Sequence, residues 1–282
     1  MSSRTTTAIG ALFEEARWEL LPFASFDDQL ETVPEGETIA ITASPQKGVG
    51  ETVDLAVETA ARGTHPVVPH LAARAISDRD ELAGYADRLQ DAGITDIFVP
   101  GGDYEEPVGE FSSSYELLVA LDELGYGFDE IGITGYPEGH PIISDDDLWK
   151  ALEKKREYST YIVTQICYDA PTVMGWIEEL RAEGNDLPVY VGIPGVMKYQ
   201  KLIGISRRVG VGDSIKFLRK TSGIVDTVKR MIGSRGVYRP DDLIDGLSPH
   251  ADDPEVNIAG LHLYTFNRAA DTVTWRQGRI GR

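Results

Sequence analysis

The chain has 282 residues, 41% of them hydrophobic, and sets 46 Asp and Glu against 27 Lys and Arg, for a formal net charge of −19 and a pI near 4.6. Its length suits one barrel-sized domain of about 250 residues with insertions, and its negative field argues against nucleic acid or an anionic membrane as a partner of the whole surface. The single cysteine, Cys167, excludes an internal disulfide, and there is no Cys-x-x-Cys pair for a structural metal.

Residues 1–14 contain neither the apolar stretch of a signal peptide nor a membrane span. Residues 1–10 are expected to be a flexible tail ahead of a catalytic domain over 11–282, in a cytoplasmic protein. Short apolar, β-branched runs then alternate with segments of helical period. The expected strands are Trp18–Leu21, Thr38–Ala43, Pro66–His70, Asp96–Pro100, Glu130–Gly135, Tyr161–Ile166, Pro188–Ile193 and Leu261–Tyr264. The expected helices are Gly50–Arg62, Ser77–Ala92, Ser113–Leu124, Asp145–Glu157, Pro171–Glu183, Lys198–Arg207, Asp213–Ile232 and Arg239–Gly246. Ser77 and Asp213 read as N-caps and Pro171 as a first-turn residue, while Gly93, Gly125 and Gly184 stand where helices stop.

Two stretches fit the alternation less well. The first crossover, Phe23 to Gly36, is short and proline-interrupted, and two helices follow the seventh strand. Eight strands joined by helical crossovers close a single-domain (βα)8 barrel of the α/β class. The rival, an open doubly wound sheet, lacks a Gly-x-Gly-x-x-Gly after its first strand.

The acidity has a second reading. Runs such as Asp145-Asp146-Asp147 and Asp252-Asp253 suit a halophilic protein, whose self-repulsion concentrated salt would screen.

In such barrels the chemistry sits at the carboxyl ends of the strands. Those ends carry Thr42, His70, Asp103, Tyr136 with Glu138 and His140, Gln165 with Tyr168 and Asp169, Pro194, and Tyr264 with Asn267 and Arg268. Loops are polar in any case, so the concentration is a pointer to a site and also an ordinary property of loops. Glu138 and His140 lack a third ligand, so no metal site is expected.

These strand ends carry motifs in a particular order: Trp18-Glu19-Leu20-Leu21-Pro22, Pro69-His70-Leu71, Gly102-Asp103, Gly135-Tyr136-Pro137-Glu138-Gly139-His140-Pro141, Thr164-Gln165 with Asp169, Gly192-Ile193-Pro194-Gly195, and Leu263-Tyr264-Thr265-Phe266-Asn267-Arg268. In that order the sequence resembles the methylenetetrahydrofolate reductase family. The resemblance implies an oxidoreductase of one-carbon metabolism that interconverts 5,10-methylene- and 5-methyltetrahydrofolate, as in methionine biosynthesis, with FAD in the barrel mouth and NAD(P)H as candidate electron donor. It implies a folate substrate as partner and leaves room for a homo-oligomer.

By the same resemblance Glu19 is the general acid that opens the methylene bridge, with Asp103 and Gln165 as the other catalytic groups beside pterin and flavin. A carboxyl buried on a barrel strand is desolvated, which raises its pKa toward that of a proton donor. The alternative is a buried Glu paired with an internal Arg or Lys. Thr42, His70, Asp103, Tyr136, His140 and Lys154 are implied flavin contacts, and Gln165, Tyr264 and Arg268 substrate contacts. Asp103 read without the family is a turn former after two glycines, Gln165 a solvent-facing amide, and His140 a cap of its own loop.

Two departures touch the expected cofactor mouth. Gly101 stands where the family has Arg before Gly-Asp, and Ala43-Ser44-Pro45-Gln46-Lys47-Gly48 replaces a Tyr-Gly-Ala-like run. They keep open a flavin-free reductase, or a folate-dependent one-carbon or methyl transferase, on the same barrel.

Lys198, Lys201, Arg207, Arg208, Lys216, Arg219 and Lys220 face one acid, Asp213, between residues 198 and 220. This reversal of charge, with Gly210-Val211-Gly212-Asp213-Ser214 opening a helix, reads as a site for a cofactor phosphate or the folate glutamate tail, or as a solvated basic face.

Overall fold

The computed structural model describes residues 3–208 and 236–281. Eight of its strands are parallel and form one sheet: β1 (Arg17–Leu20), β2 (Thr38–Ile41), β3 (Val67–Pro69), β4 (Asp96–Phe98), β5 (Glu130–Gly135), β6 (Tyr161–Thr164), β7 (Val189–Pro194) and β10 (Ile258–Tyr264). Their spatial order is β3-β2-β1-β10-β7-β6-β5-β4. His70 pairs with Phe98 in a parallel bridge, and Leu71 N–H donates to Phe98 O at 2.8 Å, which joins the two outer strands and closes the (βα)8 barrel. A short antiparallel pair, β8 (Met197–Lys198) with β9 (Val237–Tyr238), was not foreseen.

The helices are α1 (Ser3–Glu14), α2 (Phe26–Leu30), α3 (Gly48–Arg62), α4 (Arg79–Asp91), α5 (Ser114–Glu123), α6 (Asp145–Lys155), α7 (Ala170–Ala182), α8 (Tyr199–Arg208), α9 (Asp241–Leu247) and α10 (Ala269–Ile280). Residues 3–10, expected as a frayed tail, are instead helical. The reason is amphipathicity: Ile9, Leu12 and Phe13 are sealed in the core, and burying such side chains stabilises by about 1.5–3 kcal/mol each. The N-cap of α4 is Asp78 rather than Ser77, its side chain accepting from the Glu81 N–H. Ser77 instead gives its N–H and hydroxyl to the Glu81 carboxylate, at 2.7 Å each. Pro171 is in the first turn of α7 as expected, and Gly93, Gly125 and Gly184 take positive φ where their helices stop. The expected helix Asp213–Ile232 lies outside the described residues, and no described helix is long and apolar enough to cross a membrane.

Alternation along the strands sorts the barrel. Trp18, Leu20, Ile39, Ile41, Ile97 and Ile133 pack with helix residues in the main core, while Ala40, Val68, Phe98, Tyr161, Val163 and Tyr190 form a separate cluster inside the cylinder. The branched aliphatics of these strands are therefore largely on the outer face. Room for interior rings comes from glycine: a Cβ on Gly132 would lie 2.2 Å from the Tyr161 ring.

The interior is also charged at its amino-terminal end. The Arg17 guanidinium is 4.1 Å from the ring centroids of both Tyr161 and Tyr190, donates to Tyr161 Oη at 2.6 Å and pairs with Asp96 at 2.9 Å. The barrel interior thus accommodates a charge, because a paired and stacked Arg closes this floor.

Candidate active site

The opposite end of the barrel gathers the chemistry. Glu19 points from β1 into the interior at 6% exposure, and its backbone is pinned by Thr265, whose hydroxyl donates to Glu19 O at 2.5 Å. Asn267 fixes the turn after β1: it accepts from Leu21 N–H at 2.7 Å and donates to Leu21 O at 3.0 Å and Ser25 Oγ at 3.1 Å. For this Phe266 and Asn267 adopt φ of 50° and 54°, a left-handed backbone that costs a non-glycine residue about 1–3 kcal/mol.

Glu19 Oε2 lies 3.3 Å from Nε2 of His262, a residue that reading the strand ends alone passed over. The signal was there: His262 is two residues before Tyr264 and so shares its face, and the β1–β10 register sets His262 beside Arg17 and Tyr264 beside Glu19. His262 and His70 have ring centroids 6.1 Å apart, and Phe98 and Tyr264 pack on them. Burial pushes the Glu19 carboxyl up to about 7; the nearby His70 opposes this and Asp103 adds to it. Burial also takes both His70 and His262 down to about 3, so each is a neutral imidazole at pH 7.

Asp103 is exposed at the rim, yet its charge reaches Glu19, Tyr136 and His140, in each case as a smaller influence than burial. Tyr136 and His140 pack edge to face at 5.3 Å. His140 Nδ1 also accepts the N–H groups of Ile142 and Ile143, at 3.3 and 3.2 Å, so the loop-capping role is present. Tyr264 donates to Thr164 O at 3.1 Å, tying the Glu19 side of the rim to the strand end that carries Gln165. The Gln165 Oε1 accepts from Ile166 N–H at 2.9 Å, and Thr42 is half-buried at the end of β2.

Other expected residues stand apart. Lys154 is exposed on α6 with its ammonium 5.8 Å from the Tyr115 ring, and Arg268 reaches Asp271 at 3.5 Å. Asp169 is the N-cap of α7, with Thr172 donating to it twice. Of the basic segment, Lys198 and Lys201 are described, whereas Lys216, Arg219 and Lys220 and the side chains of Arg207 and Arg208 lie outside the described residues. A cavity of about 590 Å³ opens between α6 and α7, lined by Tyr136, Glu138, Trp149 and Trp176. It includes neither Glu19 nor either interior histidine, so converging polar groups rather than cavity size locate the site.

Among the described residues Glu19, His70 and His262 offer ligand atoms within 4.8 Å of one another, the set best placed for a metal, in contrast to Glu138 and His140. The surroundings of His262 argue against that role. A metal-bound imidazole gives its other N–H to a carboxylate, carbonyl or water, and His262 Nδ1 is buried with no partner.

A family model described as "Methylenetetrahydrofolate reductase" matches residues 28–275. "Methylenetetrahydrofolate reductase 1" of Schizosaccharomyces pombe is 33% identical over 141 residues, 49% of this chain and 22% of that protein. "Methylenetetrahydrofolate reductase 2" of Saccharomyces cerevisiae is 32% identical over 148 residues, with the same shares. "Methylenetetrahydrofolate reductase (NADH) 1" of Arabidopsis thaliana is 21% identical over 243 residues, 77% of this chain and 39% of that one. The chain thus spans less than half the length of these relatives. A GH18 chitinase from Pseudoalteromonas aurantia superposes with a TM-score of 0.53 at 9% identity, covering 94% of this chain and 100% of that one, a likeness of fold alone.

Proposed function

The chain belongs to the methylenetetrahydrofolate reductase family, and on that premise we propose that it is an oxidoreductase interconverting 5,10-methylene- and 5-methyltetrahydrofolate, with Glu19 as its general acid. The observation that carries this reading is a single carboxyl, buried at the carboxyl end of β1, with a pKa raised to about 7. A carboxylic acid kept protonated near neutrality can deliver a proton to the amine nitrogen of the methylene bridge, and cleavage of that C–N bond leaves an iminium ready to accept hydride. Asp103 and Gln165, near the same rim, read the donor and acceptor edge of the pterin. Tyr264 completes the substrate side, while Arg268 is turned to Asp271.

The family implies a flavin, and the rim fits one. His70 Nε2 is buried without a hydrogen-bond partner, an orphaned polar atom that a bound group would satisfy, and a Cβ at Gly101 would meet nothing within 4 Å, so there is space beside that backbone. Thr42, His70, Asp103, Tyr136 and His140 would hold FAD, which supplies the hydride when bound, while Lys154, exposed on α6 beside Tyr115, stands outside that set. NAD(P)H is the proposed source of electrons. Gly101, where the family carries Arg, favours a second reading in which the hydride comes directly from NAD(P)H.

Purification at high and low salt followed by visible spectroscopy separates the two. A yellow protein with flavin absorption, whose Glu19→Gln variant keeps flavin but loses folate turnover, supports the leading reading. A colourless protein that FAD does not reconstitute, yet that turns over with NAD(P)H, overturns its flavin part.

A further inference from the structure

His262 Nδ1 is buried and has no hydrogen-bond partner, while Nε2 faces Glu19 Oε2 at 3.3 Å. The two neutral tautomers are therefore unequal. A proton on Nδ1 would be a buried donor with nothing to donate to, whereas a proton on Nε2 meets a carboxyl oxygen and leaves only a lone pair unpaired. The ring has little freedom to escape this choice, being packed by Tyr264 at 4.7 Å and near His70 at 6.1 Å and Phe98 at 6.5 Å. No other side chain among the described residues bonds the Glu19 carboxyl, and Oε1 is not among the sealed unpaired atoms.

We infer that His262 is a positioning residue: it keeps its own proton on Nε2, donates it to Glu19 Oε2, and so confines the transferable proton of Glu19 to Oε1, the oxygen turned away from the imidazole. The inference rests on Glu19 being the acid. Proton balance is simple: Glu19 loses the proton on Oε1 to the substrate nitrogen, and the resulting carboxylate keeps the His262 N–H. The imidazole stays neutral throughout, in keeping with its depressed basicity. Groups facing this pair are His70 after β3, Asp103 after β4, Tyr264 on β10, and Arg17 below on β1.

His262→Phe keeps a ring and removes the donor, and His262→Gln returns an amide N–H close to the place of Nε2. Two readouts apply to the full chain: kcat and KM across pH, and Glu19 ionisation followed by infrared difference spectroscopy, with Glu19→Gln identifying the band. In His262→Phe, kcat falls about tenfold to hundredfold, KM changes by less than about twofold, and the ionisation of Glu19 moves up by about one pH unit, because the carboxylate has lost a donor. His262→Gln restores most of both. Unchanged kcat and an unmoved Glu19 band in His262→Phe overturn the positioning role while Glu19→Gln remains inactive; an active Glu19→Gln instead removes the acid reading itself. If the Phe variant does not fold, His262→Asn, whose amide falls near Nδ1, replaces it: loss in Asn and recovery in Gln support the inference, and equal behaviour overturns it.

Discussion

Arg17 and Glu19 lie two residues apart on the same face of β1, yet the guanidinium is committed to Asp96 at 2.9 Å and to two tyrosine rings, not to Glu19. The buried cation therefore serves the barrel floor, and the carboxyl one layer above keeps its proton. The alternative of a Glu salt-bridged to an internal Arg is not what the interior contains.

From this follows a pH profile. With its pKa raised to about 7 by burial, Glu19 is mostly protonated below that value and ionised above it. Reduction of the methylene bridge should slow as pH rises through about 7, approaching tenfold per pH unit well above it. Steady-state kcat measured from pH 6 to 9 checks this, and a rate still rising at pH 9 excludes a carboxyl of this kind as the acid.

Stability should carry the same signature. A carboxyl at about 7 in the fold and 4.5 when exposed favours the folded state fully below 4.5, and that contribution is lost as pH rises to about 7. Above pH 7 the ionised side chain costs the fold about 3 kcal/mol. Glu19→Gln should thus be the more stable protein in urea at pH 8, with the difference shrinking toward pH 5.

On the floor, Arg17→Met should destabilise by about 3 kcal/mol, because buried Tyr161 and half-buried Asp96 lose their shared partner. Adding Asp96→Asn should recover part of the loss by removing the stranded charge. Denaturant midpoints of the single and double variants measure both effects.

The net charge of −19 makes a separate prediction. If self-repulsion limits the fold, the melting temperature rises between low and molar KCl as screening shortens its range. A flat dependence would remove the halophilic reading without touching the site.

The sequence carried the fold because every parallel strand was a short apolar run bounded by helical segments, from Trp18 to Tyr264. His70, Asp103 and Tyr136 could be named as candidates because strand ends are where a barrel exposes chemistry, whereas Glu19 was named through the family resemblance. His262 escaped because it lies inside a strand, and only the register that puts it beside Arg17 brings it to Glu19. The charged floor escaped for a similar reason: Arg17 and Asp96 are 79 positions apart, and their pairing exists only once the barrel closes. Helix α1 was hidden by a polar start that masks the apolar Ile9, Leu12 and Phe13.

The most direct measurement is a single turnover in which reduced, flavin-loaded protein is mixed with 5,10-methylenetetrahydrofolate and flavin reoxidation is followed by absorbance. The account predicts that Glu19→Gln binds flavin normally but reoxidises about a hundredfold to ten-thousandfold more slowly than the parent. Reoxidation of that variant at the parent rate would contradict it.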